Sequence, residues 1–335
     1  MRVAIIGSGL QASRRAPAVL RAGDVLTTIC STHEENSKRM ALQYHCDHDV
    51  NWNHAVARPD VDAVIVCTPP GSHADISISA MQNGKHVLCE KPLARTAVES
   101  TKMRAVAIEK SVALKCGFNL RYHRAMTELK RVASGGGLGE LYYAKATFGI
   151  GARQGYVSEW RVDPSQAGGG QLMEQGIHLI DLSRWFLGDV SEVLAVRGDF
   201  LNLPRPFEDN GFVFLRTSSH KLASIHASLT QWKNKFSFEL TGSEGYGVVT
   251  GLGGSYGVET LAVGKNLPGQ PFSETVTEFR GEDKCWELEW DEFRSHTDEP
   301  RHFDFGLDGV RALQTIEAAY ASASKHSAVG LNLSA

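Results

Sequence analysis

The 335-residue sequence has no excess of either charge. Its 35 Lys and Arg stand against 38 Asp and Glu, a formal net charge of -3. It therefore lacks the basic footprint that a phosphate backbone selects, and nucleic acid is not an expected partner. A local basic site stays compatible with this balance. No run reaches the roughly 18 apolar residues of a membrane span, so no membrane association is expected. The cysteines are Cys30, Cys46, Cys67, Cys89, Cys116 and Cys285. They form no CxxC pair and no metal-ligand spacing, so no metal is expected. Several sit in apolar runs and read as buried free thiols of a reducing compartment. The chain goes straight into a strand with no leader pattern, and a cytoplasmic location is expected. Internal repeats and low-complexity segments are absent.

What is present is ordered alternation. Short apolar strands at 2–7, 25–31, 61–70, 85–92 and 112–119 are separated by helical patterns at 10–23, 34–45, 73–84 and 96–111. Near-continuous apolar strands joined by helices imply a parallel sheet covered on both faces. Beyond residue 120 the pattern changes. A helix ending in glycines and a glycine-flanked helix from about 170 to 187 accompany several alternating strands between 141 and 250. The expected fold is α/β: a doubly wound parallel sheet in residues 1–119, then an α+β domain in 120–335 with a large, mostly antiparallel open sheet. An open sheet needs cover, and self-association through it into a homodimer or homotetramer is expected. The charged, aromatic stretch 277–306 reads as a solvated helix and loop.

Gly7-Ser8-Gly9-Leu10-Gln11-Ala12 is GxGxxA between the first strand and the first helix. The glycines permit a tight turn and close approach of a pyrophosphate, and the helix N-terminus supplies N–H donors. A dinucleotide is the expected ligand. About 20 residues on, an acid normally holds the ribose 2′-hydroxyl. Here Ser31, Thr32 and His33 stand at that strand tip. The missing acid removes a repulsion against a 2′-phosphate and tips the expectation towards NADP, with Arg14 and Lys38 as further phosphate partners. NAD held through Ser31 and Thr32, or through Glu34, is the alternative.

Lys91, in Cys89-Glu90-Lys91-Pro92, closes a strand of the parallel sheet, the edge where ligands sit. Pro92 fixes the turn and admits a cis bond. An ammonium there stabilises a developing alkoxide; by itself, a lysine at a strand end is equally a solvated charge. Glu174 and His178 are four residues apart on one helix and share a face. The imidazole suits proton transfer near neutral pH, with Glu174 holding the ring or a substrate hydroxyl. A core histidine braced by a carboxylate is the other reading. Gly176, inside that helix, implies close approach of another body. Tyr156 lies in a loop positioned to gate a pocket, and 229–234 is a candidate pocket lining.

These motifs, with "TPPGSH", "EKPLA", "GFNLRY" and "WRVDPSQAGGGQLMEQGIHLIDLSRWFLG", resemble the glucose–fructose oxidoreductase / inositol dehydrogenase / rhizopine catabolism (Gfo/Idh/MocA) family over nearly the whole chain. The resemblance implies an N-terminal Rossmann domain that binds NAD or NADP and a C-terminal domain that supplies substrate contacts and the oligomer interface. It implies cofactor contacts from Thr68, Pro69, His73 and Glu90, and from Trp160 and Arg161 of the second domain. It places Asn119 and Arg121 near the substrate, where the domains join. It makes Lys91 and His178 the catalytic pair, facing the nicotinamide C4. Glu174 departs from the family's usual aspartate. The implied activity is hydride transfer between NAD(P) and a hydroxyl or carbonyl of a sugar, cyclitol or sugar derivative. A non-catalytic dinucleotide-binding regulator and an NAD-dependent glycosidase are the competing functions.

Overall fold

The computed structural model describes residues 1–265, 268–269, 271–299 and 304–331. The chain divides into two compact units. Unit one holds Met1–Asn119, Ser165–Gly168 and Lys284–Leu313; unit two holds Leu120–Pro164, Gly169–Asp283 and Gln314–Ala335.

Among the described residues, unit one carries a six-stranded parallel sheet. Its strands are β1 (Arg2–Ile6), β2 (Val25–Cys30), β3 (Asp47–Asp49), β4 (Ala63–Val66), β5 (His86–Glu90) and β6 (Leu114–Gly117). Their order, β3-β2-β1-β4-β5-β6, reverses direction between β1 and β4. That reversal opens a crevice beyond the carboxyl ends of the strands. Register brings Ile6 opposite both Cys30 and Val66, so the residues after β1, β2 and β4 share one edge. Val3, Ile5, Ile65 and Leu88 are fully buried between layers of helix, which is why these strands read as continuous apolar runs. The covering helices include α1 (Leu10–Arg21), α2 (Glu34–Tyr44), α3 (Trp52–Ala57), α4 (His73–Gln82) and α5 (Ala97–Lys110). Thr96 and Glu99 start α5 with a reciprocal capping box.

The contact units also divide between Asn119 and Leu120, but they group a late segment, Lys284–Leu313, with unit one, which the expected single span 120–335 did not include. Helix α8 (Cys285–Ser295) is not the solvated helix expected for 277–306; Glu289, Trp290 and Phe293 are buried in it. Trp290 donates its indole N–H to Asp24 at 2.8 Å, and Trp290 and Phe293 join the core beside Val3, Ile5 and Val19. Residues 300–303 of that stretch lie outside the described residues.

Unit two holds nine paired strands among the described residues: β7 (Leu141–Gly151), β8 (Val190–Gly198), β9 (Asn210–Thr217), β10 (Leu222–Ser228), β11 (Thr230–Gly242), β12 (Gly245–Thr250), β13 (Glu259–Lys265), β14 (Ser273–Phe279) and β15 (Val329–Gly330). All neighbours are antiparallel except β7 and β10. Ala146, Phe148, Ile225, Ala227, Phe236 and Phe238 are buried on one face. Leu194, Val196, Phe212 and Phe214 alternate to the other face and are exposed. β13 and β14 were not read from the sequence. Helices α6 (Arg124–Ser134) and α7 (Ile177–Leu187) belong to this unit, and a π-helical turn, Leu172–Gly176, leads into α7. The last helix is α9 (Leu307–Lys325). No described helix is long and apolar enough to cross a membrane.

Candidate active site

In unit one the sequence motifs gather on the carboxyl edge of the parallel sheet. Gly7 has φ +118°, and a Cβ there would lie 2.6 Å from the Cys67 carbonyl oxygen, so only glycine fits. A Cβ built on Gly9 would meet nothing within 4 Å. Gly9 caps α1 without a side-chain bond, and the first turn of α1 carries no acid. Leu10 is exposed beside this opening, and the buried Oε1 of Gln11 has no protein partner. Open space at a helix N-terminus, with uncapped N–H donors, fits a pyrophosphate.

At the tip of β2, Ser31 is engaged by protein. Its hydroxyl accepts from Ser8 at 2.8 Å and from the His33 backbone N–H at 3.2 Å. Thr32 and His33 are exposed there. Of the candidate phosphate partners, Lys38 forms an exposed pair with Glu34 at 2.7 Å, and the exposed Arg14 guanidinium lies 5.4 Å from the centre of the Trp286 ring.

After β4, the Thr68 hydroxyl accepts from Ser72 at 2.8 Å, and Pro69 leads into a single 3-10 turn. His73 is buried. Its Nδ1 lies 2.8 Å from the Pro92 carbonyl oxygen and its Nε2 2.7 Å from that of Thr68. Burial pushes the His73 pKa down, and the two carbonyl acceptors oppose that shift. Glu90 is buried too, and its Oε1 accepts from Arg15 Nε at 2.9 Å. Lys91 follows at the sheet edge, half-buried, joined to Pro92 by a cis peptide. Asn119 donates to the Cys285 sulfur at 3.4 Å.

In unit two, the helix read at 170–187 starts as the π-helical turn. Glu174 gathers two groups that the sequence reading kept separate. Its Oε1 accepts from Arg161 Nε at 2.7 Å and its Oε2 from the Tyr156 hydroxyl at 2.9 Å. Gln171 donates to the same Tyr156 oxygen at 3.0 Å. Tyr156 is thus buried and tied to Glu174. Burial, then the neighbouring Glu174 charge, raise its pKa. Burial opposes the charge on Arg161, but Glu174 and Glu159 outweigh it and hold that pKa above the ordinary value. The Arg161 guanidinium lies 4.5 Å over the half-exposed Trp160 ring. His178 is buried with its ring 5.9 Å from that of Phe148. The tight neighbour implied by Gly176 is the Ala227 side chain of β10, 3.3 Å from a Cβ built on that glycine.

Arg121 makes a two-pronged ion pair with the buried Asp181, at 2.8 and 2.5 Å. Asp181 was missed by the sequence reading, although its place three residues after His178 signals a shared helix face. Of the candidate pocket lining 229–234, Leu229 is buried, β11 begins at Thr230, and Trp232 is fully exposed on that strand.

A parallel sheet with the 3-2-1-4-5-6 order and a glycine turn at its switch point defines a dinucleotide-binding class of protein. Residues 1–118 match the family model described as "Oxidoreductase family, NAD-binding Rossmann fold", and residues 126–247 match the GFO/IDH/MocA C-terminal domain. The chain belongs to the GFO/IDH/MocA oxidoreductase family. It is 29% identical over 198 residues to levoglucosan dehydrogenase of Pseudarthrobacter phenanthrenivorans, covering 56% of this chain and 48% of that protein. It is 29% identical over 247 residues to 1,5-anhydro-D-fructose reductase of Ensifer adhaerens, covering 73% and 74%. A third relative is dTDP-3,4-didehydro-2,6-dideoxy-alpha-D-glucose 3-reductase of Saccharopolyspora spinosa, at 29% identity over 56% of each chain. The chain thus spans about half the length of two of these curated relatives. The solved structure of a levoglucosan dehydrogenase complex with NADH superposes with TM-score 0.88 at 24% identity, over 99% of both chains, which establishes the fold.

Proposed function

We propose that this protein is an NAD-dependent oxidoreductase that oxidises a secondary hydroxyl of a sugar or cyclitol, or reduces the matching ketone. One observation carries the reading: the glycine turn after β1 and Lys91 after β5 stand on the same edge of one parallel sheet. The names of relatives, among them a levoglucosan dehydrogenase and an inositol 2-dehydrogenase, support the substrate class.

Gly7, Gly9 and the first turn of α1 would hold the pyrophosphate, with Leu10, Gln11 and the Thr68–Pro69 turn beside it. The bound cofactor supplies a hydride acceptor or donor. Lys91 polarises the substrate hydroxyl and stabilises the charge that grows on its oxygen. His178 takes the hydroxyl proton in oxidation and returns it in reduction. Glu174 holds Arg161 and Tyr156, and through Arg161 it braces Trp160, so its role is positioning.

Between the two nicotinamide cofactors this reading favours NAD over the NADP expected from the missing acid. Glu34 and Glu35 open α2 with negative charge just after the β2 tip, which opposes a 2′-phosphate there, and Lys38 pairs with Glu34. The exposed apolar face of the unit-two sheet supports self-association. The six cysteines form no disulfide, which suits a reducing cytoplasm.

The test is a panel of sugars, anhydrosugars and cyclitols offered with NAD+ and NADP+ separately, following the absorbance of the reduced cofactor. Lys91→Ala and His178→Ala should each lower turnover by about 100-fold or more with cofactor binding nearly intact. Full turnover in either variant removes that residue from the mechanism. Sugar turnover without release of reduced cofactor points to a glycosidase instead.

A further inference from the structure

Unit one buries three charged side chains that the hydride-transfer reading does not use. Arg15, on α1, is 1% exposed. Its Nε and Nη2 lie 2.9 and 2.8 Å from Glu90 Oε1, and its Nη1 lies 2.5 Å from Glu289 Oε2. Trp286 lies beneath the guanidinium, 4.8 Å away. A Cβ on Gly117 would come within 2.7 Å of Arg15 Nη2, so the glycine makes room for the charge. Burying such a cluster is costly, and an apolar set of similar volume is often as stable or more so. Its position offers a second rationale.

Glu90 immediately precedes Lys91, and Arg15 lies on the helix that begins at the glycine turn. On the other side of Lys91, His73 reaches the Pro92 carbonyl oxygen at 2.8 Å and the Thr68 carbonyl oxygen at 2.7 Å. The Cys89 thiol donates to the Leu93 carbonyl at 3.6 Å. The backbone carrying Lys91 is therefore gripped before and after the lysine. One grip leads to the glycine turn through α1, the other to the turn after β4.

We infer that Arg15 and His73 are positioning residues that lock the root of Lys91 to the two cofactor loops. Glu90 and His73 then serve the cofactor through the lysine turn and not by direct contact. The inference rests on the reading of Lys91 as the group that meets the substrate hydroxyl. A lysine has four rotatable stem carbons, so a fixed root limits where its ammonium can reach. A displacement of about 1 Å at a reacting group costs on the order of 100-fold in rate.

The test replaces the cluster by apolar side chains, Arg15→Met with Glu90→Leu and Glu289→Leu, and separately makes His73→Ala and His73→Asn. Four quantities are read: the thermal midpoint, NAD+ affinity, turnover at saturating NAD+ on the best panel substrate, and the rate of Lys91 acetylation by acetic anhydride. The triple variant should fold with parental stability and bind NAD+ within about 3-fold, yet lose about 30-fold or more in turnover. Its Lys91 acetylation rate should change at least about 5-fold. His73→Ala should lose about 10-fold in turnover, partly restored by His73→Asn, whose amide N–H offers the Pro92 carbonyl a donor.

Parental turnover and labelling in a folded triple variant, or in His73→Ala, overturn the inference for that residue. So does a loss confined to NAD+ affinity, which would make these side chains direct cofactor contacts. If the triple variant does not fold, Arg15 is assigned to stability alone, and the His73 pair decides its half of the inference. The labelling arm needs no substrate. Altered Lys91 labelling in a chain that oxidises nothing on the panel refutes the dehydrogenase reading and leaves the grip on Lys91 standing.

Discussion

The Arg161 guanidinium and the Glu174 carboxylate meet at 2.7 Å, and the Tyr156 hydroxyl closes the other side of the same carboxylate at 2.9 Å. One carboxylate on the π-helical turn thus holds both Tyr156 and Arg161 of the preceding loop. A glutamate reaches where an aspartate, one methylene shorter, does not. Glu174→Asp should therefore release both partners, whereas Glu174→Gln keeps a polar contact to Tyr156. Side chains at this pair are about three-quarters buried, so a double-mutant cycle with Arg161→Met should give a coupling of about 1–2 kcal/mol. A coupling near zero in urea denaturation would show that the contact holds nothing.

Gly7 is the least replaceable residue of the glycine turn. Gly7→Ala combines positive φ with a Cβ 2.6 Å from the Cys67 carbonyl oxygen, and the backbone must move. A loss of about 2–3 kcal/mol is expected, together with loss of NAD+ binding. Gly9→Ala has open space and should fold normally. Its methyl group should weaken NAD+ binding, because it enters the space a pyrophosphate would fill. Thermal denaturation with and without NAD+ separates these effects.

Glu208 sets a pH dependence in unit two. It is 2% exposed, accepts from the Leu172 N–H at 2.9 Å and the Tyr320 hydroxyl at 3.0 Å, and burial pushes its pKa up to about 7. The folded value exceeds the unfolded one, so the native state holds the extra proton between them. Its contribution is complete below about pH 4.5 and is lost as pH rises through about 7, with a span on the order of 3 kcal/mol. Glu208→Gln should flatten the fall in stability between pH 5 and 8. Urea midpoints across that range check it, and an unchanged slope would rule Glu208 out as the titrating group.

The open face of the second sheet should be an interface between copies. Phe214 is 59% exposed and Phe212 46%, and the Phe212 ring stacks on His226 at 4.0 Å. Leu194 lies opposite Phe214 and Val196 opposite Phe212, which makes a continuous apolar patch. Phe212→Glu with Phe214→Glu should convert the assembly to monomers in light scattering, with the fold retained by circular dichroism. A parent that is already monomeric at micromolar concentration would sink this.

The doubly wound sheet and the glycine turn were legible because each rests on neighbours in sequence. Apolar runs of β1, β4 and β5, and the spacing of Gly7 and Gly9, are local patterns. Lys91 was legible as the residue closing an apolar strand. The role of Glu90 was not, because its partner Arg15 lies 75 residues away. Strands β13 and β14 escaped for a different reason. In β13 only Leu261, Ala262 and Val263 are apolar, and they stand side by side; in β14 only Val276 and Phe279 are, and that strand is exposed almost throughout, so neither shows a clear alternation in sequence.

By itself the sequence determined the parallel sheet and the dinucleotide turn, since local periodicity and turn chemistry carry that information; Lys91 and His178 entered as a candidate pair only through the resemblance to the family. Only the tertiary structure decided that α8 belongs with the first unit, that Arg15 meets both Glu90, 75 residues away, and Glu289, 274 residues away, and that Glu174 holds Arg161 and Tyr156. Burial and ion pairing depend on which surfaces meet, and no spacing along a chain records that choice.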